Sequence, residues 1–304
     1  MRINVFLSSL ALGFSLTEAA KLRGRQEVVT VTHTVVEAAA TQTPYAYNWA
    51  AGATKEVPIH SSCNATERAL LRRGLSDAIK LAEHAKDHVL RFGNSSEFYA
   101  KYFGSAPTAE VIGWYDKIVN GDKGGIWFRC DDIDGNCHQD GWGGHWRGEN
   151  ATQETVICPL SFTTRQPIEG LCGFGYQVAT GELNFYFGSD LIHRLLHIPS
   201  IGEGVAEHYA DSYADCLELA VSDPDMAVRN SHTLQYFALD VYAYDIALPG
   251  EGCTGRAPEE ASDEEASDEE SSPEPTATTE TVPSTTQTGG TECHTHADGE
   301  EHCV

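Results

Sequence analysis

Basic residues are scarce in this 304-residue chain: 20 Lys and Arg stand against 45 Asp and Glu, for a formal net charge of −25. No cluster of them is large enough to neutralise a run of phosphates, which sets a nucleic-acid surface aside. Between Pro258 and Glu301 there is no Lys or Arg at all. A block of one sign repels itself and stays solvated, so much of the charge belongs to this tail and the body is only mildly acidic. Long apolar runs are missing too. The stretch from Val5 to Phe14, behind Arg2 and ahead of Ala19-Ala20, is too short to span a bilayer. It reads as the core of a secretory signal peptide over residues 1–20, and no later run supplies a membrane anchor.

Cysteine, by contrast, is plentiful, with nine in the chain. With a secretory leader this points to an oxidising compartment and a disulfide-stapled body. Local loops suggest Cys130–Cys137 around Asp131–Asn136 and Cys158–Cys172 around the next short segment. Cys63–Cys253 would then tie the ends of the body, and Cys293–Cys303 would close the tail, leaving Cys216 as a lone thiol in a helical stretch. Three sequons, at Asn64, Asn94 and Asn150, agree with passage through the secretory route.

Composition divides the chain into a leader (1–20), an extended arm (21–44), one globular body (45–255), an acidic Ser/Thr/Pro-rich disordered linker (256–291) and a Cys/His tail (292–304). The linker repeats Ala-Ser-Asp-Glu-Glu from Ala261 to Glu270 and has nothing to bury in a core. In the body, Ser62-Cys-Asn64 opens a long helix over 66–90 whose apolar residues recur at helical spacing. Short helices follow near 96–102 and 108–119. Gly125–Cys130 and Glu154–Cys158 read as strands of a small antiparallel sheet, separated by a Gly/Trp loop over 141–148. Residues 176–187 form either a hairpin or an approach to the next helix, and helices end the body at 208–220 and 231–247. The fold class expected is α+β, mainly α.

The stretch most charged with chemistry is His193-Arg-Leu-Leu-His197. Its histidines, four apart, share one helix face and can clasp a single metal ion. This is the spacing of the zinc-peptidase motif H-E-x-x-H, but Arg194 stands where the glutamate would activate the metal-bound water. A guanidinium cannot accept that proton, and it pairs more naturally with an acid such as Asp190. Zinc takes four ligands, and after Gly202 and Gly204 the candidates for a third are Glu207 first, then His208 and Asp211. His84 and His88 have the same spacing, but with no patterned third ligand nearby they read as surface residues. His145, among glycines and tryptophans, reads as a structural loop histidine. At the tail, Cys293, His294, His296, His302 and Cys303 offer a secondary metal site.

These residues carry a resemblance. Pro58-Ile-His-Ser-Ser-Cys-Asn-Ala-Thr66, Ile118–Lys123, Gly141-Trp-Gly-Gly-His-Trp-Arg-Gly148, the His193–His197 motif and the terminal Cys-His-Thr-His are similar to those of the fungal pH-regulated antigens. These are secreted zincophores, a family that includes a major Aspergillus allergen and resembles the deuterolysin metallopeptidases. The resemblance implies a zincin-like domain. In deuterolysins a G-T-x-D motif supplies the third ligand, and Gly204-Val-Ala-Glu207 falls on it, with valine and glutamate as departures. It also implies capture of extracellular Zn2+ and its return to a plasma-membrane zinc importer, and binding of host complement regulators and plasminogen. Two rival readings stand beside it. One is an active secreted deuterolysin-type peptidase with Glu203 or Glu207 as substitute base; the other is a host-facing adhesion protein with structural zinc.

Overall fold

The computed structural model describes residues 48–256, together with the backbone of residues 293–295 and 301–303. The leader, the arm up to residue 47, the acidic linker and the tail side chains lie outside the described residues. The chain divides into two units, Met1–Ala51 and Gly52–Val304, and every element named below belongs to the second.

Helix α1, Ala65–Phe92, is the longest element. It starts where it does because the Asn64 side chain accepts from the Thr66 and Glu67 N–H groups while Glu67 reaches back to the Asn64 N–H, a reciprocal cap. Its stripe of Leu71, Ala78, Leu81, Ala82, Ala85 and Val89 is buried, whereas Leu90 is exposed. Helices α2 (Glu97–Phe103) and α3 (Thr108–Asn120) follow. Ser96 caps α2 by accepting from the Tyr99 N–H.

The three-stranded sheet has β3 (Glu154–Ile157) in the middle, with β1 (Trp127–Arg129) parallel to it and β2 (Gly144–Trp146) antiparallel. It is therefore mixed, not antiparallel throughout, and the Gly/Trp segment expected to be a loop supplies its third strand. Gly144 explains that strand: a Cβ there would lie 2.6 Å from the Arg194 guanidinium and 2.4 Å from the Val156 carbonyl oxygen. Only glycine lets the strand approach both.

Short α4 (Pro159–Thr164) leads into α5 (Phe187–Leu196). Residues 176–185 make turns and no hairpin, and Tyr186 makes only an isolated bridge with Gln166, so of the two readings left open they form an approach to α5. Then come α6 (Pro199–Gly202), α7 (Tyr213–Ser222), α8 (Pro224–Ala227) and α9 (Ser231–Tyr242), which continues into a π-helical turn over Ala243–Ala247. Helix α7 starts at Tyr213, five residues later than expected, because 207–210 is non-helical chain tied to the segment that opens α9. Strands β4 (Cys293–Thr295) and β5 (Glu301–Cys303) pair antiparallel, with Cys293 opposite Cys303 and His294 opposite His302.

Helices α1, α5 and α9 share one apolar core that includes Leu81, Leu191, Leu195 and Phe237. The α1–α5 crossing is close because glycine lies on both sides. A Cβ at Gly74 would meet Phe187 and Leu191 at 2.8 Å, and one at Gly188 would meet the Asp77 backbone at 2.9 Å. Three disulfides close the body: Cys63–Cys130, Cys137–Cys158 and Cys172–Cys253. They replace the expected Cys63–Cys253, Cys130–Cys137 and Cys158–Cys172. Sequence proximity misled for Cys130–Cys137 and Cys158–Cys172, because β1 returns beside the segment that leads into α1, setting Cys130 by Cys63, and β2 pairs with β3, setting Cys137 by Cys158. Cys216 remains a buried thiol, its pKa pushed up to about 12 by burial.

Candidate metal centre

Helix α5 ends at the second histidine for a local reason. Pro199 disfavours the helical conformation in the residue before it, and Ile198 is extended at φ −82°, ψ 125°. His197 thus caps the helix, one turn beyond His193. The chain reverses through Glu203 and Gly204, at φ 59° and 63°. A side chain at Gly202 is excluded, since a Cβ there would lie 1.7 Å from the Leu196 carbonyl oxygen.

The returning strand is anchored to the start of α9. The Glu207 N–H donates to the Arg229 carbonyl at 3.1 Å, and the Ser231 N–H donates to the Glu207 carbonyl at 2.9 Å. Buried Asn230 completes the anchor. Its Oδ1 accepts from the Tyr209 and Ala210 N–H groups at 2.9 and 3.2 Å, and its Nδ2 donates to the Ala210 carbonyl at 2.9 Å. One side chain thereby sets the backbone on either side of His208.

Three imidazoles meet as a result. His193 Nε2 lies 3.2 Å from His197 Nε2, which lies 2.9 Å from His208 Nε2. Four-coordinate zinc, with Zn–N of about 2.0–2.1 Å, sets its ligand atoms about 3.3 Å apart, so the spacing fits one such ion. Neutral imidazoles with their lone pairs so close repel unless a proton or cation lies between them.

The outer nitrogens are backed by polar groups. His193 Nδ1 is 3.1 Å from Gln235 Oε1, His197 Nδ1 is 3.3 Å from Glu207 Oε2, and His208 Nδ1 is 3.3 Å from Asp211 Oδ1. At His193 and His208 such partners select the tautomer that turns Nε2 toward a metal, while Glu207 stands beside His197 as a charge partner. Glu207, first among the candidates for third ligand, therefore stands behind His197, while the second candidate, His208, faces the other two histidines. The third, Asp211, stands behind His208. His232, 1 % exposed, stacks on His193 at 5.3 Å and meets His208 edge-on at 4.5 Å, its Nδ1 3.0 Å from the Asp211 carbonyl.

His232 and Gln235 escaped the sequence reading. Their signal was polar side chains, His232 and Gln235 among them, in a helix whose apolar residues Leu234, Phe237, Ala238 and Leu239 are buried.

Arg194 is held elsewhere. Its Nε lies 2.8 Å from Asp190 Oδ1, and Asp190 Oδ2 takes Arg165 Nε at 3.2 Å and the Ser161 hydroxyl at 3.2 Å. Its guanidinium lies against Gly143 and Gly144 of β2. The pairing with Asp190 anticipated from the sequence is present, and both residues are buried. Glu203 pairs with Lys117.

His145 is buried in β2 with Nε2 3.2 Å from Asp134 Oδ2, and burial holds its pKa below the usual value. The sequon residues Asn64, Asn94 and Asn150 are all exposed. Among the described residues no helix is long and apolar enough to cross a membrane.

The family model described as "HRXXH: Putative peptidase family" matches residues 10–256. The chain is 49% identical over 293 residues to the major allergen Asp f 2 of Aspergillus fumigatus, an alignment that covers 91% of this chain and 94% of that protein. To the pH-regulated antigen PRA1 of Candida albicans it is 52% identical over 213 residues, covering 70% and 71% of the two chains. A solved chain titled as a zinc peptidase from Grifola frondosa superposes with a TM-score of 0.44 at 20% identity, covering 59% of this chain and 97% of that one. With its motif at His193–His197 and its matched span running through the whole described body, the chain belongs to the HRXXH family.

Proposed function

We propose that this protein is a secreted zinc carrier. It takes up extracellular Zn2+ through His193, His197 and His208 and returns it to the cell, where a plasma-membrane zinc importer receives it. The observation that carries this reading is the convergence of three Nε2 atoms, each ring backed at Nδ1 by Gln235, Glu207 or Asp211. A donor set of neutral imidazoles suits a borderline cation of the zinc class. Zinc is cargo here, and Gln235 and Asp211 hold the rings of His193 and His208 in the binding tautomer.

The arrangement favours carriage over hydrolysis. A peptidase needs a base beside the metal to take a proton from water, and Arg194 is engaged by Asp190. Of the two carboxylates expected as substitutes, Glu203 is paired with Lys117 and Glu207 stands against the outer nitrogen of His197. Cys293, His294, His296, His302 and Cys303 are proposed as a secondary, weaker site, for which the β4–β5 register supplies a hairpin.

Because imidazole must shed its proton to coordinate, capture should strengthen from acidic to neutral and alkaline pH. Equilibrium zinc titration of the mature chain, beside a His193→Ala/His197→Ala chain, tests the site. The double variant should lose the tightest equivalent. If it binds as much zinc as the parent, the reading fails. Chelator-sensitive cleavage of a denatured protein substrate would instead establish the peptidase reading.

A further inference from the structure

We propose a second transition-metal site, separate from the first, made by His84, His88 and Asp245. The sequence set the two histidines aside as surface residues for want of a third ligand; His88 is buried, and the fold brings a third ligand. His84 Nε2 and His88 Nδ1 lie 2.9 and 2.8 Å from the same carboxylate oxygen, Asp245 Oδ2. That oxygen arrives from 161 and 157 residues away. The three ligand atoms all fall within 4.8 Å of one another, as around a single ion.

The surroundings prepare the site. His88 Nε2 is 2.8 Å from Ser96 Oγ, which already accepts the Tyr99 N–H as cap of α2. Without metal, His88 Nδ1–H donates to the Asp245 carboxylate and the Ser96 hydroxyl donates to Nε2; an ion would displace the Nδ1 proton, and Ser96 Oγ would then accept from Nε2–H, the same outer-nitrogen support as at the central site. Rings of Phe92 and Phe98 contact His88, and that of Tyr242 contacts His84, which limits their rotation. Asp245 sits in the π-helical turn at the end of α9. Such turns hold one more residue than an α turn and recur at functional sites.

Access and chemistry point the same way. The side chains of His84 and Asp245 are 22% and 25% exposed, against 5% for His88, so an ion can reach the cluster from solvent. Two nitrogens and one oxygen leave a position for water and suit zinc and its neighbours. The central histidines adjoin the first turn of the 12-residue α9, and Asp245 follows its last. A helix of that length spans about 18 Å, so the two sites share no ligand.

The test is zinc titration of the full mature chain after dialysis against a chelator, with the melting temperature of each metal-free variant measured alongside. Asp245→Asn keeps the size and shape of the side chain, and His84→Ala trims the more exposed ring. Each should bind one zinc fewer per chain than the parent, while His193→Ala/His197→Ala keeps that equivalent. Loss of one equivalent in either folded variant upholds the site, and full stoichiometry in both overturns it. In the parent itself, the 15N resonances of His84 Nε2 and His88 Nδ1 should shift on zinc addition. If they hold their metal-free positions through saturation, the cluster shares protons alone and the proposal is overturned. Failure of the central reading shows in a different variant, so the two outcomes are separable.

Discussion

At the scale of single residues, the roles of Glu207 and His208 are separated by which nitrogen each faces. His208→Ala removes an Nε2 from the cluster, whereas Glu207→Gln leaves all three in place and weakens the support behind His197. Loss of an outer partner typically weakens metal binding ~10–100-fold. We expect Glu207→Gln to fall in that range and His208→Ala to exceed it, measured by competition with a chromophoric chelator; the reverse ranking would make Glu207 the ligand. Arg194 invites a second substitution. Restoring the peptidase motif with Arg194→Glu places a carboxylate against buried Asp190, leaving Arg165 between two acids. Breaking a buried ion pair from one side costs about 3–5 kcal/mol. The expected result is a marked fall in melting temperature, larger than for Arg194→Met, and not a gain of peptidase activity.

At the scale of elements, the site depends on how closely α5 lies on α1. Gly188→Ala pushes a methyl against the Asp77 backbone at 2.9 Å, where neither helix can yield without moving. Overpacking of this kind costs about 1–3 kcal/mol. Because α5 carries both histidines of the motif, zinc affinity should fall with stability. Gly74→Ala meets side-chain atoms of Phe187 and Leu191 and no backbone, so its effect should be smaller in both readouts. Equal effects from the two substitutions would show that the crossing does not govern the site.

At the scale of the molecule, acid should unfold the protein through the sheet and its loop. Arg147 holds Asp134 below the usual carboxylate range, and Arg129 does the same for Asp131. Burial keeps His145 below its ordinary value. All three are depressed, so the unfolded chain takes up protons first and stability rises with pH. The contribution of His145 is complete above about pH 6.5 and those of the aspartates above about pH 4, the unfolded values. Each is lost as pH falls toward the folded value. The melting temperature of the metal-free chain should therefore decline in two stages, and Asp134→Asn should flatten the lower one; an unchanged acid slope would refute the assignment. The disulfides act on the same scale. Cys172–Cys253 spans 81 residues and Cys137–Cys158 spans 21. Loop-closure entropy gives about 4.5 and about 3.3 kcal/mol. Replacing the first pair by alanines should lower denaturant stability more than replacing the second.

What the sequence by itself determined is local: the capped start of α1 at Asn64, the shared helical face of His193 and His197, the halt at Pro199, the reversal through Gly204 and the pairing of Arg194 with Asp190. These follow from backbone sterics, helical spacing and charge over a few residues. The tertiary structure decided what depends on remote chain. It turned His208 toward the motif and Glu207 behind it, because Asn230 anchors the returning strand. It brought His232 and Gln235 from α9, and delivered Asp245 to a pair of histidines that had looked idle. It also paired Cys63, Cys130, Cys137, Cys158, Cys172 and Cys253 with partners that spacing had not suggested. Spacing along a chain reports which side chains share a helix face. Which nitrogen of a ring meets which partner is settled only when the elements pack.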